Sequence, residues 1–204
     1  MIPLAGGVAS ELLALLSSPV AQRRDDWFED LQRRLLELEG QVEGFRFEDL
    51  GSNEQFVSAA LQATQAALRT HRKEKLEALR NAVLNIAIGH SPDQDQAAMF
   101  LAYVEELSPW HLRLLVFFQE PARPAGQVNA GSIGQLLEQV IPDLRGKREF
   151  YSQITRDLRT RGLLNSDETM LYTTMTPSGV FATRTTEIAN RFLKFIESPE
   201  TRKE

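Results

Sequence analysis

The sequence predicts a mainly α-helical protein, with an N-terminal helical bundle over residues 1–107 and a second domain over residues 108–204 that adds a short β-hairpin. Three observations predict this. Apolar residues recur at three- and four-residue spacing, as in Trp27, Leu31, Leu35 and Leu38, which fall on one face of a helix. Ser-Pro pairs at positions 18, 91 and 108 each offer a capping serine with proline at the first helical position. One stretch, MLYTTM at 170–175, is β-branched and aromatic and reads as strand.

Taken in order, residues 2–16 read as a short apolar helix carrying Leu4, Val8, Leu12, Leu15 and Leu16, weakened in its first turn by Gly6-Gly7. Ser18-Pro19 then starts a helix over 19–39, charged on its outer side and closed by Gly40. Residues 40–51 form a loop anchored by Phe45 and Phe47. From Asn53 a helical pattern runs to Ile88, but RTHRKEK at 69–75 is polar all round and Thr70 can cap. One bent helix and two successive helices both fit. Ser91-Pro92 opens a helix that buries Phe100, Leu101, Val104 and Leu107.

Ser108-Pro109 opens the next helix, to Gln119, followed by a proline- and glycine-rich loop over 121–131 that is expected to be the most mobile part of the chain. Ser132 caps a helix over 133–141, which Pro142 stops. Residues 147–164 (KREFYSQITRDLRTRGLL) form a two-sided helix, with Phe150, Ile154 and Leu158 behind and Arg148, Ser152, Arg156 and Arg159 in front. Gly162 sits where such a helix stops. After the strand-like 170–175, Thr176-Pro177 starts a last helix to Ile196.

Composition narrows the function. With 42% hydrophobic and 25% charged residues the chain suits a soluble globular protein, expected in the cytoplasm. The net charge of −5 argues against a protein that coats nucleic acid or anionic membrane over its whole surface. The charge is uneven: residues 1–107 hold 10 Lys and Arg against 17 Asp and Glu, residues 108–204 hold 13 against 11. That asymmetry permits a local basic face on the second half. The absence of cysteine removes disulfides, thiolate metal sites and cysteine nucleophiles.

No catalytic pattern is visible. His71, His90 and His111 are far apart and match no metal-binding spacing. Gly6-Gly7 lacks the strand and third glycine of a dinucleotide fingerprint, and no phosphate loop or nucleophile elbow occurs. Adjacent acids such as Asp25/Asp26 and Glu105/Glu106 diverge around a helix and do not converge in a cleft. An enzyme is not expected, and neither a cofactor nor a metal.

The order helix, loop, short helix, turn, longer helix, hairpin, closing helix resembles a winged-helix domain. RDLRTRGLLNSDETMLYTTMTPSGVFATRTTEIANRFLKFI (156–196) in particular looks like the end of a bacterial one, with a reading helix finishing in RGLL, a short wing and a threonine-proline start to the closing helix. The resemblance spans about residues 108–197 and carries no catalytic motif; basic residues are absent from Asn165 to Phe181. The opening IPLAGGVASELLALLSSPVAQRRDDWFEDLQRRLLELE resembles that of uncharacterised bacterial proteins of similar length, which implies a bacterial origin and no activity.

Two functions follow as expectations. In the first, a DNA-binding regulator reads duplex DNA with helix 147–164. Lys147 contacts the backbone, Arg148, Ser152, Arg156 and Arg159, with Tyr151 and Thr155 alongside, meet the groove and its phosphates, and the N-terminal unit forms a homodimer. In the second, the fold docks a protein partner or serves as a scaffold, through the acidic N-terminal unit and the helical stretch 54–88. A membrane-associated, defence-type role through the N-terminal helix is a further alternative, against which the segment offers Glu11 and no lysine.

Overall fold

A computed structural model describes residues 6–121 and 130–199 of the chain. The start of the helix expected at residue 2 and most of the loop expected over 121–131 lie outside the described residues. The chain divides into two compact units, Met1–Glu105 with Phe195–Glu204, and Glu106–Lys194. Among the described residues there are nine α-helices, three short 3-10 helices and no β-strand.

The first unit opens with α1 (Gly6–Glu39), a single helix of 34 residues. The two helices expected here, split at Ser18-Pro19, are one, with Pro19 inside it. Proline removes one amide donor and crowds the carbonyl four residues back, which is tolerable where water reaches the freed oxygen. That is the setting: Leu15 is 69% exposed, and every described side chain from Glu11 to Asp26 is exposed except half-buried Ala21. The Ser17 hydroxyl adds a bond to the Ala14 carbonyl at 3.0 Å. Beyond Asp26 the helix meets the bundle, burying Trp27, Leu31, Leu35 and Leu38. Trp27 Nε1 donates to Thr64 Oγ1 at 3.0 Å inside that core.

After a 3-10 turn at Phe47–Ser52, Asn53 caps α2 (Glu54–Leu68) by accepting from the Phe56 amide at 3.0 Å. The polar run is a true break, and α3 (Lys73–Ala87) folds back onto α2. Small side chains make the close approach possible: Ala59, Ala63, Ala66 and Ala67 of α2 and Ala78 and Ala82 of α3 are buried. Of the two arrangements that fit residues 54–88, the structure has the second, two successive helices in a hairpin. α4 (Gln94–Glu106) is capped by Asp93, which accepts from the Gln96 amide at 2.9 Å, so Ser91-Pro92 precedes the helix and does not start it. Asn81 and Asn85 on α3 bind the carbonyls of Phe195, Ile196 and Glu197, which belong to this unit.

The second unit begins with α5 (Pro109–Gln119), capped as expected by Ser108. α6 (Ile133–Val140) follows, its Ser132 cap accepting from the Gln135 amide, and Pro142 ends it in a 3-10 turn. α7 (Arg148–Thr160) then stops at Gly162, whose φ of 72° lies in the left-handed region. An antiparallel bridge joins Leu164 to Thr185, flanked by amide bonds from Asn165 to the Arg184 carbonyl and from Thr186 to the Leu163 carbonyl.

The expected hairpin is not formed. Residues Glu168–Leu171 make a 3-10 helix, opened by the Asp167 carboxylate accepting from the Thr169 amide at 3.0 Å. Met170 and Leu171 are adjacent and both buried, which a helical turn permits, whereas a strand sends neighbours to opposite faces. Leu171 reaches α6 so closely that a Cβ built on Gly134 would sit 2.6 Å from its carbonyl oxygen. The final helix is also divided: α8 (Pro177–Val180) lasts one turn, and α9 (Glu187–Ile196) starts afresh beside Thr186, whose hydroxyl accepts from the Ala189 amide. Between them the Arg184 amide bonds the Phe118 carbonyl at 2.8 Å, a tertiary bond that a continuous helix would forfeit. The buried Arg184 guanidinium donates to the carbonyls of Gly179 and Ala182, and burial pushes its pKa down.

Candidate nucleic-acid interface

α7 is wedged along both flanks. On one side lies α5: Trp110 meets Phe150 edge-on with ring centroids 6.0 Å apart, and His111 Nε2 stands 3.6 Å from Asp157 Oδ2. On the other side lie the 3-10 turn at 168–171 and the residues around it. The buried face carries Tyr151, Ile154, Thr155 and Leu158. Phe150, expected in that stripe with Ile154 and Leu158, is instead 42% exposed, because it falls on the α5 flank.

The seven candidate residues separate into two groups. Tyr151, Ser152 and Thr155 are buried, and their polar atoms are spent inside the unit. The Tyr151 hydroxyl donates to Glu138 Oε1 at 2.9 Å, and burial first, then that bond, pushes its pKa up to about 12. Ser152 Oγ donates to the Arg148 carbonyl and also meets the Tyr172 hydroxyl, and Thr155 Oγ1 donates to the Tyr151 carbonyl. Lys147, Arg148, Arg156 and Arg159 are at the surface.

Each surface arginine of α7 has a partner on the turn that replaces the hairpin. The Arg148 guanidinium stacks over the Tyr172 ring, 3.7 Å from its centroid. Arg156 Nε donates to Glu168 Oε1 at 3.0 Å and its Nη1 to Gln153 Oε1 at 2.7 Å. Arg159 Nη1 stands 3.1 Å from Asp167 Oδ2. Bonds from the Thr169 hydroxyl and amide, with the Arg159 charge behind them, hold Asp167 below the usual carboxylate range. Glu168 is lowered by its own backbone amide and then by Arg156. Arg161, just past the helix, pairs with Glu106 at 2.6 Å. Around α7, then, Arg156, Arg159 and Arg161 stand against the carboxylates of Glu168, Asp167 and Glu106.

A polar line that the sequence did not single out runs through Ser108, His111 and Asp157. Ser108 Oγ lies 2.7 Å from His111 Nδ1, and the pair forms a reciprocal cap on α5 with histidine where glutamate usually stands. The 3.6 Å from imidazole to carboxylate exceeds a hydrogen bond and leaves Asp157 as a charge beside the cap. The Ser-x-x-His spacing was the signal available for it. Among the described residues no group of three or more His, Asp or Glu side chains is placed to hold a metal ion.

No family model, curated protein or solved structure matches this chain. The winged-helix resemblance is thus an expectation from the sequence alone, and the hairpin in its order of elements is not formed among the described residues. Among the described residues no helix is long and apolar enough to cross a membrane.

Proposed function

We propose that the Glu106–Lys194 unit binds nucleic acid through the edge of α7 that carries Lys147, Arg148, Arg156 and Arg159. The observation that carries this reading is the placement of Arg148, Arg156 and Arg159 on the exposed edge of α7, with Lys147 at its N-cap. The antiparallel bridge at Leu164–Thr185 closes the segment behind α7, where winged-helix domains carry the root of the wing. In this reading the wing is a helical turn, and contact falls to phosphates more than to base edges, since Tyr151, Ser152 and Thr155 are inside. Binding is the whole activity; no catalytic step is involved.

The test is a titration of random-sequence duplex DNA from about 50 to 200 mM salt, with an Arg156→Ala/Arg159→Ala variant alongside. Removing two phosphate-binding arginines should lower the log–log salt slope by about 2. Absence of binding at the low-salt end sinks the reading.

A second reading, a protein-docking role for the first unit, is favoured by the uncovered stripe of Leu12, Leu15, Leu16 and Val20 on α1. An apolar face this long is usually covered in the working protein. If it seals a homodimer, wild type sediments as a dimer and Leu15→Glu/Leu16→Glu as a monomer. A wild-type monomer at about 100 μM, where dimers of even modest affinity persist, removes the dimer from this reading.

A further inference from the structure

We propose that Asp167 and Glu168 are a built-in competitor for the anion that α7 takes: their carboxylates occupy the arginine positions that phosphates would fill, and a bound duplex displaces them. This rests on reading α7 as an anion-binding helix.

The geometry separates a fixed root from a movable rim. Met170 and Leu171 are buried, and Leu171 is held against Gly134 of α6 at a spacing that leaves no room for a Cβ. The backbone of the turn is thereby anchored. The acids stand at the edge, with Arg156 and Arg159 exposed and Asp167 and Glu168 half-buried. Exposed ion pairs of this kind are weak, so rotation of two side chains opens the face without unfolding the turn. Opening also changes the field. With Asp167 and Glu168 turned away, Arg156 and Arg159 lose the carboxylates they are paired with. The uncovered guanidinium groups then take phosphate oxygens, and charge-assisted bonds to phosphate replace those to carboxylate.

The experiment compares wild type with Asp167→Asn/Glu168→Gln, titrating a fluorescent random-sequence duplex of about 20 base pairs at about 100 mM salt. Asparagine keeps a side-chain oxygen for the Thr169 amide, so the turn is retained. Glu168→Gln alone leaves the Asp167 cap untouched and should give part of the gain. Affinity should rise at least about tenfold in the double variant, and Arg156→Ala/Arg159→Ala in that background should abolish the rise. Asp25→Asn/Asp26→Asn, which changes total charge equally but on α1, should leave binding at the wild-type level. An equal gain from that control, or none from the double variant, overturns the competitor. Tight and equal binding by wild type and variant would leave the α7 reading standing and remove only the competitor. Failure of both to bind removes both.

Discussion

The Asn85 side-chain amide, fully buried on α3, donates to the Phe195 carbonyl at 2.8 Å and to the Glu197 carbonyl at 2.9 Å. One side chain thus satisfies two of the carbonyls that the end of α9 leaves open. Asn85→Leu strands both acceptors and should cost about 2–6 kcal/mol, since each buried group left unpaired costs about 1–3 kcal/mol. Chemical denaturation of the purified variant measures this. A midpoint within error of wild type would show that water or a neighbour replaces the amide.

Asn85→Asp should behave differently with pH. The introduced carboxyl is buried and faces carbonyl oxygens, so its folded pKa lies above its unfolded one. Its contribution is then whole below the unfolded value and is lost as pH rises through the folded value. Thermal melts should find this variant least stable, relative to wild type, near neutrality and closer to it under acid conditions. A pH-independent difference would argue that the site is wet.

Gly134→Ala should destabilise the second unit by about 1–3 kcal/mol, the usual range for overpacking. The added methyl meets a backbone oxygen, the Leu171 carbonyl at 2.6 Å, and not a flexible side chain that can move aside. An unchanged unfolding midpoint would mean that the 168–171 turn shifts freely.

The alkaline titration of Tyr151 follows from its pKa of about 12, set by burial and the Glu138 bond. An unfolded phenol ionises near ~10, so between these values the unfolded chain releases a proton that the folded chain keeps. The stability contributed by this group is complete below pH ~10 and disappears as pH rises through about 12. Phenolate absorbance should include a step at about pH 12, and Tyr151→Phe should remove that step. An unchanged alkaline titration in Tyr151→Phe would contradict the buried hydroxyl.

Pro19→Ala should slow amide exchange through residues 15–26 of α1, because alanine restores the missing donor and relieves the ring clash, worth about 3 kcal/mol in a helix interior. Unchanged exchange would mean that the helix does not run unbroken through Pro19 in solution.

These residues also show what sequence makes readable. The caps at Ser108 and Ser132, the stop at Gly162 and the stripe from Trp27 to Leu38 depend on neighbours within a turn or two, and their signals are local. Pro19 is ambiguous because proline suits the first turn of one helix and the solvent-facing interior of another, and only exposure separates the two. The 168–171 turn and the break at Arg184 hinge on Gly134 and Phe118, over thirty residues away. The site is legible in part. Helical spacing places Arg156 and Arg159 at the surface, but their acidic partners come from the next segment, whose helical turn the β-branched pattern conceals.

Arg184 gives the second unit a cation of another kind from those on α7. Its charge is met by peptide carbonyls in the interior, where dissolved ions do not reach, while the α7 arginines lean on carboxylates that an ionic atmosphere can weaken. Rising ionic strength should therefore loosen the rim and leave the frame intact. Across a salt series the unit acts as its own reference, a changing surface carried on an unchanging scaffold.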